Sequence, residues 1–92
     1  MTYNDLLKIM EDEQLEKYNR FYTTMYRGEN CICIQKNDNN TFSVLAMGER
    51  GVVAFEHLEI SENSACDIVL EYLRFNKEYC LKYHVDKNGY PI

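Results

Sequence analysis

The sequence predicts a two-layer α+β domain, in which a four-stranded antiparallel sheet carries an N-terminal helix and a longer C-terminal helix on one face. Apolar residues repeat with the period of a helix near both ends of the chain and with the period of a strand in the middle. The segments between the strand-like stretches are short, which favours antiparallel neighbours. A length of 92 residues suits one domain, so we expect a single domain over residues 1–92 in the order α-β-β-β-β-α.

The first helix is predicted from a cap and an apolar stripe. Thr2 is a good N-cap, and Asp5 three residues later gives a variant of the capping box. The apolar positions that share one helical face are Tyr3, Leu6, Leu7 and Met10. The acidic run Glu11-Asp12-Glu13 opposes the helix dipole at this end. Three interpretations of this run stay open: the helix continues beyond it, the run is a solvated turn, or its charges are kept to bind a partner.

Four strands are predicted between residues 18 and 60. In the first, Phe21, Thr23 and Met25 alternate with Tyr22, Thr24 and Tyr26. Turn-forming residues at 27–30, 37–40 and 48–51 separate it from strands near 31–35, 41–47 and 52–60. If Phe21, Thr23 and Met25 face the core, Tyr22 and Tyr26 face the solvent. A shift of the strand register by one residue would exchange the two faces.

The second helix begins after Ser61, which is a typical cap. Its apolar positions form a wide stripe that indicates a helix lying across the sheet, namely Ala65, Ile68, Val69, Leu70, Tyr72, Leu73 and Phe75. The pattern extends to about Lys82, and the tail from about residue 84 is expected to be irregular.

The charge balance favours a protein partner over nucleic acid. The chain has 15 Asp and Glu against 10 Lys and Arg, and the basic residues are scattered singly, unlike those of a phosphate-binding surface. An acidic surface suits a basic partner, although solubility alone also accounts for a net charge of -5. No apolar run is long enough to span a membrane and no signal-peptide pattern is visible, so we expect a cytoplasmic protein without a membrane partner.

No cofactor, metal or catalytic site is expected. The cysteines Cys31, Cys33, Cys66 and Cys80 lack the spacing of a zinc site and are interpreted as free thiols. Cys31 and Cys33 share one face of a strand and are interpreted as small buried residues. His57 is interpreted as a partly buried strand residue and His84 as an exposed one. Neither has a recognisable nucleophile or acid as its partner, so the chain is not expected to be an enzyme.

Two short motifs carry a resemblance. Met47-Gly48-Glu49-Arg50-Gly51 ends one strand, and Ile60-Ser61-Glu62-Asn63-Ser64-Ala65-Cys66 opens the second helix ahead of Val69, Leu70 and Leu73. Over roughly residues 18–75 this arrangement resembles small bacterial immunity proteins of polymorphic toxin systems. The resemblance implies a protein that is encoded beside a secreted or contact-delivered toxin and neutralises it by tight binding.

The resemblance, together with the surface chemistry, suggests a division of residues between binding and structure. The candidate toxin-binding residues are Glu11, Asp12, Glu13, Tyr22 and Tyr26, which would contact a basic toxin domain such as a nuclease. Turn and cap chemistry accounts for the motif residues, which are therefore expected to be structural: Glu49, Arg50, Gly51, Glu62, Ala65 and Cys66. Two other hypotheses stay open, a different small interaction module or adaptor and a small enzyme or ligand-binding domain.

Overall fold

Helix α1 (Tyr3–Asp12) begins where the sequence predicts it. In the computed structural model, which describes residues 1–92, the Thr2 hydroxyl accepts a hydrogen bond from the Asp5 amide at 3.2 Å. The Asp5 carboxylate accepts one from the Thr2 amide at 2.9 Å, which completes the capping box. These hydrogen bonds to Thr2 lower the pKa of Asp5. Glu13 ends the helix, and a short 3₁₀ turn (Leu15–Lys17) leads to the sheet.

The sheet contains β1 (Arg20–Tyr22), β2 (Cys31–Lys36), β3 (Phe42–Met47) and β4 (Val53–Ile60), which lie side by side in chain order. As predicted, β2–β3 and β3–β4 are antiparallel. A 3₁₀ turn (Glu49–Gly51) closes the second hairpin. In that turn Arg50 and Gly51 have φ values of 57° and 72°, a conformation that glycine adopts without strain.

The prediction of a fully antiparallel sheet is wrong at one place, because β1 is parallel to β2 with Phe21 opposite Ile32. Strand β1 ends at Tyr22, and residues 23–30, here called the crossover segment, carry the chain back to the start of β2. Tyr22 and Met25 both pack against the same side of the sheet. Residues three apart in one strand would face opposite sides, so the chain must leave the strand between them.

Both helices cover one face of the sheet and enclose the main core. Helix α2 (Glu62–Tyr83) follows the Ser61 cap and ends one residue beyond Lys82, to which its apolar pattern extends. Beyond it the tail is irregular apart from one bridge between Val85 and Pro91. The buried residues of this core are Leu6, Met10, Leu15, Ile32, Ile34, Phe42, Val44, Ala46, Ala65, Cys66, Val69, Leu70 and Leu73.

The two helices are also joined by polar contacts at both ends of α1. At its start, the Tyr3 amide donates a hydrogen bond to the Glu62 carboxylate at 2.8 Å, which satisfies a free donor of the first helical turn. At its end, the Glu13 carboxylate accepts hydrogen bonds from the Arg74 guanidinium. No helix of the protein combines the length and the hydropathy needed to cross a membrane.

The opposite face of the sheet has a core of its own. Cys31, Cys33, Leu45 and Met47 are fully buried there, and Tyr22 and Met25 pack over them. The crossover segment supplies this cover and is fixed at both ends. The Met25 amide donates to Gln35 Oε1 at 3.0 Å, and the Asn30 amide donates to the Gly48 carbonyl at 3.1 Å.

Replacing Leu45 by alanine tests whether the crossover segment closes this second core. We expect Leu45→Ala to lower the free energy of unfolding by about 2–5 kcal/mol, because a fully buried leucine would leave a cavity. Chemical denaturation monitored by circular dichroism measures the change. Leu58→Ala is the matched control, since Leu58 in β4 is 58% exposed and should change stability by less than about 0.5 kcal/mol. Equal small losses for both variants would mean that the crossover segment does not cover the sheet.

Candidate protein-binding surface

In the acidic run at the end of α1, one residue forms an ion pair and the other two form none. Arg74 holds the Glu13 carboxylate with two hydrogen bonds, Nε to Oε1 at 3.0 Å and Nη2 to Oε2 at 2.5 Å. Lys77 Nζ donates to the Glu13 carbonyl at 2.9 Å. Glu11 and Asp12 are exposed and form no ion pair. Only these two of the three predicted charges are therefore available to a partner.

The two candidate tyrosines are in contact but have different surroundings. Their ring centroids lie 4.7 Å apart with an interplanar angle of 49°, a favourable tilted arrangement. Tyr22 is half-buried against the second core, whereas Tyr26 lies in the crossover segment with 51% of its surface exposed. The two residues do not share a strand face as predicted, because β1 ends at Tyr22. Tyr22 instead supports the exposed ring of Tyr26.

Buried thiols hold the backbone of Tyr26. The Tyr26 amide donates to Cys33 Sγ at 3.4 Å, and the Tyr26 carbonyl accepts from Cys33 Sγ at 3.3 Å and from Cys31 Sγ at 3.8 Å. Burial raises the pKa of Cys33, so the thiol keeps its proton at neutral pH. All four cysteines are free, as predicted, and all four are buried. Their contact with the crossover backbone could not be read from the sequence.

A glycine makes room for the Tyr26 ring. A methyl group placed on Gly28 would overlap the edge of this ring, so the ring packs directly over the Gly28 backbone. Next to Tyr26, Arg27 reaches across the sheet to Glu56 of β4 at 3.4 Å. Both partners of this ion pair are well exposed, so it contributes little to stability. It does connect the Tyr26 surface with strand β4.

The other residues singled out in the sequence are placed apart from this surface. His57 is exposed on β4, not partly buried as predicted, because the helices do not cover this part of the edge strand. His84 is exposed at the end of α2. No group of three His, Cys, Asp or Glu side chains is arranged to hold a metal ion.

The motif residues all make contacts within the fold. Glu49, Arg50 and Gly51 form the turn between β3 and β4, and Glu62 accepts the hydrogen bond from the Tyr3 amide. Ala65 and Cys66 are fully buried against the sheet. Burial raises the pKa of Cys66 to about 11, so this thiol stays neutral and inert at physiological pH.

Sequence reasoning missed an aromatic surface on α2. Tyr72, Phe75, Tyr79 and Tyr83, here called the aromatic flank, recur at i, i+3, i+7 and i+11 and so line one side of the helix. Phe75, predicted to widen the buried stripe, is instead 64% exposed. Phe55 of β4 packs against Tyr72 edge to face at 5.4 Å, so the start of the flank lies beside β4. Tyr79 and Tyr83 instead line a cleft with Arg20 of β1 and Asn30. The sequence did contain a signal for this surface: the apolar side of α2 is wider than one sheet face can bury, so part of it must stay exposed.

We compared the chain with protein-family models, with curated protein sequences and with solved structures, and none of them matches it.

Replacing Glu13 by glutamine tests whether this residue is structural. The hydrogen bonds from Arg74 hold the pKa of Glu13 below its ordinary value of 4.5. The ion pair therefore adds stability above about pH 4.5, and this contribution disappears as the pH falls through the lower pKa of the folded state. Since both side chains are partly exposed, we expect Glu13→Gln to lower the free energy of unfolding by at most about 1 kcal/mol at pH 7.

Urea denaturation of both proteins between pH 7 and pH 2 measures this difference. Glu11→Gln is the matched control, because Glu11 is exposed and has no ion-pair partner. A deficit for Glu13→Gln that is the same at pH 2 and pH 7 would show that the carboxylate charge is not what Arg74 recognises.

Proposed function

We propose that this protein is an immunity protein, which binds a basic toxin tightly and in equal stoichiometry in the cytoplasm and acts by binding, without catalysis. The observation that carries the proposal is the exposed ring of Tyr26. This ring is backed by Tyr22, seated over Gly28 and fixed through its backbone by Cys31 and Cys33. An exposed aromatic side chain that is held in place at this many points is well suited to recognition of another protein.

A fixed aromatic ring is valuable at an interface for two reasons. Tyrosine offers a large contact area with few rotatable bonds, and such residues dominate binding energy when they are enclosed by a partner. Ordering a flexible side chain on binding lowers affinity, and much of that loss is avoided when the free protein already holds the side chain. The contacts of Tyr26 with Tyr22 and Gly28 supply this order before any partner arrives.

The charge of the surface favours a basic partner. Glu11 and Asp12 are exposed on α1, and Asp67, Glu71 and Glu78 are exposed on α2. Arg74, which lies among the α2 acids in the sequence, is engaged with Glu13 and does not balance them. A surface of this kind attracts basic proteins, such as nucleases, and raises their association rate.

The resemblance to immunity proteins is what makes the proposed partner a toxin and not another basic protein. Co-expression with the product of the neighbouring gene tests this step. We expect a complex of one copy of each protein that survives gel filtration, and we expect the toxic activity to disappear in the complex. A small interaction module or adaptor would instead bind a protein whose activity is unchanged.

Replacing Tyr26 by alanine tests the aromatic anchor. We expect Tyr26→Ala to melt like the parent and to dissociate from the toxin about thirtyfold faster, which corresponds to a loss of about 2 kcal/mol with little change in association. Surface plasmon resonance and thermal melting measure the two effects. Tyr22→Ala should lower the melting temperature as well, because Tyr22 packs on the second core. Full protection from the toxin by a normally melting Tyr26→Ala would place the interface elsewhere.

Reversing the free charges of α1 tests electrostatic steering. We expect Glu11→Lys with Asp12→Lys to slow association with the toxin and to leave dissociation nearly unchanged, because exposed charges act mainly on diffusional encounter. The association rate of the parent should also fall as salt rises, since salt screens such charges over about 10 Å. Stopped-flow mixing at several salt concentrations measures both. If neither salt nor the charge reversal changes the association rate, charge does not guide binding.

A further inference from the structure

We infer that the outer edge of β4 and the start of the aromatic flank, Tyr72 and Phe75, together receive an extended segment of the partner, in which basic and apolar side chains alternate. The segment would add to the sheet as a fifth strand. This inference rests on the proposed function, because it states which kind of segment the partner contributes and where that segment lies.

Strand β4 offers an open edge. It is the longest strand of the sheet, it is the last in the sheet order, and β3 is its only neighbour. Between Val53 and Ile60 it contains no lysine and no proline, which are residues that commonly protect exposed edges from pairing. Its register with β3 shifts near both ends, while Phe55, Glu56 and His57 pair regularly. The backbone groups on the outer side of this stretch are free to pair with another strand.

The first two residues of the aromatic flank, Tyr72 and Phe75, form an apolar surface beside this edge. Helix α2 starts directly after β4 and turns back over the sheet, which brings Tyr72 against Phe55. One turn further along α2, Phe75 is 64% exposed and extends this apolar surface. Val53 does not belong to it, because its partner Met47 lies in the second core on the opposite face of the sheet. Every second side chain of an added strand would point to the helix side of the sheet and contact these apolar groups. This geometry explains why the partner segment should be apolar at alternate positions.

The other side of the added strand would meet a different surface. Leu58 is exposed, and Glu56 is linked to Arg27 and through it to the neighbouring Tyr26. The strand edge and the Tyr26 surface are therefore continuous, and one partner can cover both.

The charges decide which occupant fits. Strand β4 carries Glu56 and Glu59 and no lysine or arginine, and α2 exposes Glu71 and Glu78. A second copy of the chain would bring two acidic strands together, and like charges across a ladder are destabilising. Lysine or arginine side chains at alternate positions of a partner strand would instead meet opposite charges. The favoured occupant is a basic segment of another protein.

A short peptide that alternates lysine and valine over nine residues is a direct probe of this edge. We expect it to bind and to slow hydrogen exchange of the β4 amides, as measured by NMR. A control peptide of the same sequence, methylated on the nitrogens of three consecutive central residues, keeps the charge but cannot pair as a strand. It should bind about tenfold more weakly, since losing one or two backbone hydrogen bonds removes roughly that much affinity.

Substitutions on the protein locate the binding. We expect Phe75→Ser to weaken binding of the lysine-valine peptide about tenfold, because a partly enclosed aromatic ring contributes about a factor of ten to affinity. The melting temperature should not fall, since Phe75 is exposed. Leu7→Ser is the matched control, since Leu7 is exposed on α1 and belongs to neither surface. It should leave peptide binding unchanged.

Three results would overturn the inference. These are equal binding of the methylated peptide, absence of protection in β4, and self-association of the free protein through β4, which sedimentation would reveal. The outcome for the proposed function is separate. A toxin complex that protects Tyr26 but not β4 would remove the strand inference alone, whereas a peptide that protects β4 while the neighbouring gene product fails to bind would remove the toxin assignment alone.

Discussion

Strand β3 has no exposed residue, and this constraint organises the whole domain. Its sequence, Phe-Ser-Val-Leu-Ala-Met, places apolar groups on both faces of the sheet, so both faces must be covered. The helices cover one face. The chain has no third helix for the other, and the crossover segment takes that place. Parallel pairing of β1 with β2 follows, because the chain must cross the second face before it can enter β2.

The sequence predicted the elements well where a local signal was complete. The Thr2–Asp5 capping box, the turns around residues 37–40 and 48–51 and the Ser61 cap all depend on neighbouring residues, and each lies where it was expected. The direction of β1 depends on which segment covers the second face of the sheet, and this cannot be predicted from neighbouring residues alone. Alternation through Tyr26 was therefore interpreted as a longer strand.

The candidate surface could be predicted only in part. Tyr22 and Tyr26 were recognised as a pair, but not that Tyr22 is half-buried and supports the exposed ring of Tyr26. The position of Tyr26 depends on the thiols of Cys31 and Cys33, which belong to another strand. Glu13 was grouped with its acidic neighbours, yet Arg74 lies 61 residues away in the chain. Of the aromatic flank, Tyr72 and Phe75 were assigned to the buried stripe. Tyr72 does pack against the core, but Phe75 is exposed, because the apolar arc of the helix is wider than the sheet face that it covers.

The order of strands in the sheet is also their order along the chain, and this has a consequence for how the domain assembles. Neighbouring strands are joined by short segments, so each pairing closes a small loop at low entropic cost. Contacts between segments close in sequence are typical of domains that fold rapidly. Other contacts join distant parts of the chain. Tyr3 meets Glu62 and Glu13 meets Arg74 across 59 and 61 residues. Beyond the first helix, Cys80 meets Tyr18 across 62 residues. Closing these long loops joins the first helix and the turn after it to the second helix, so the two ends of the domain are expected to unfold together.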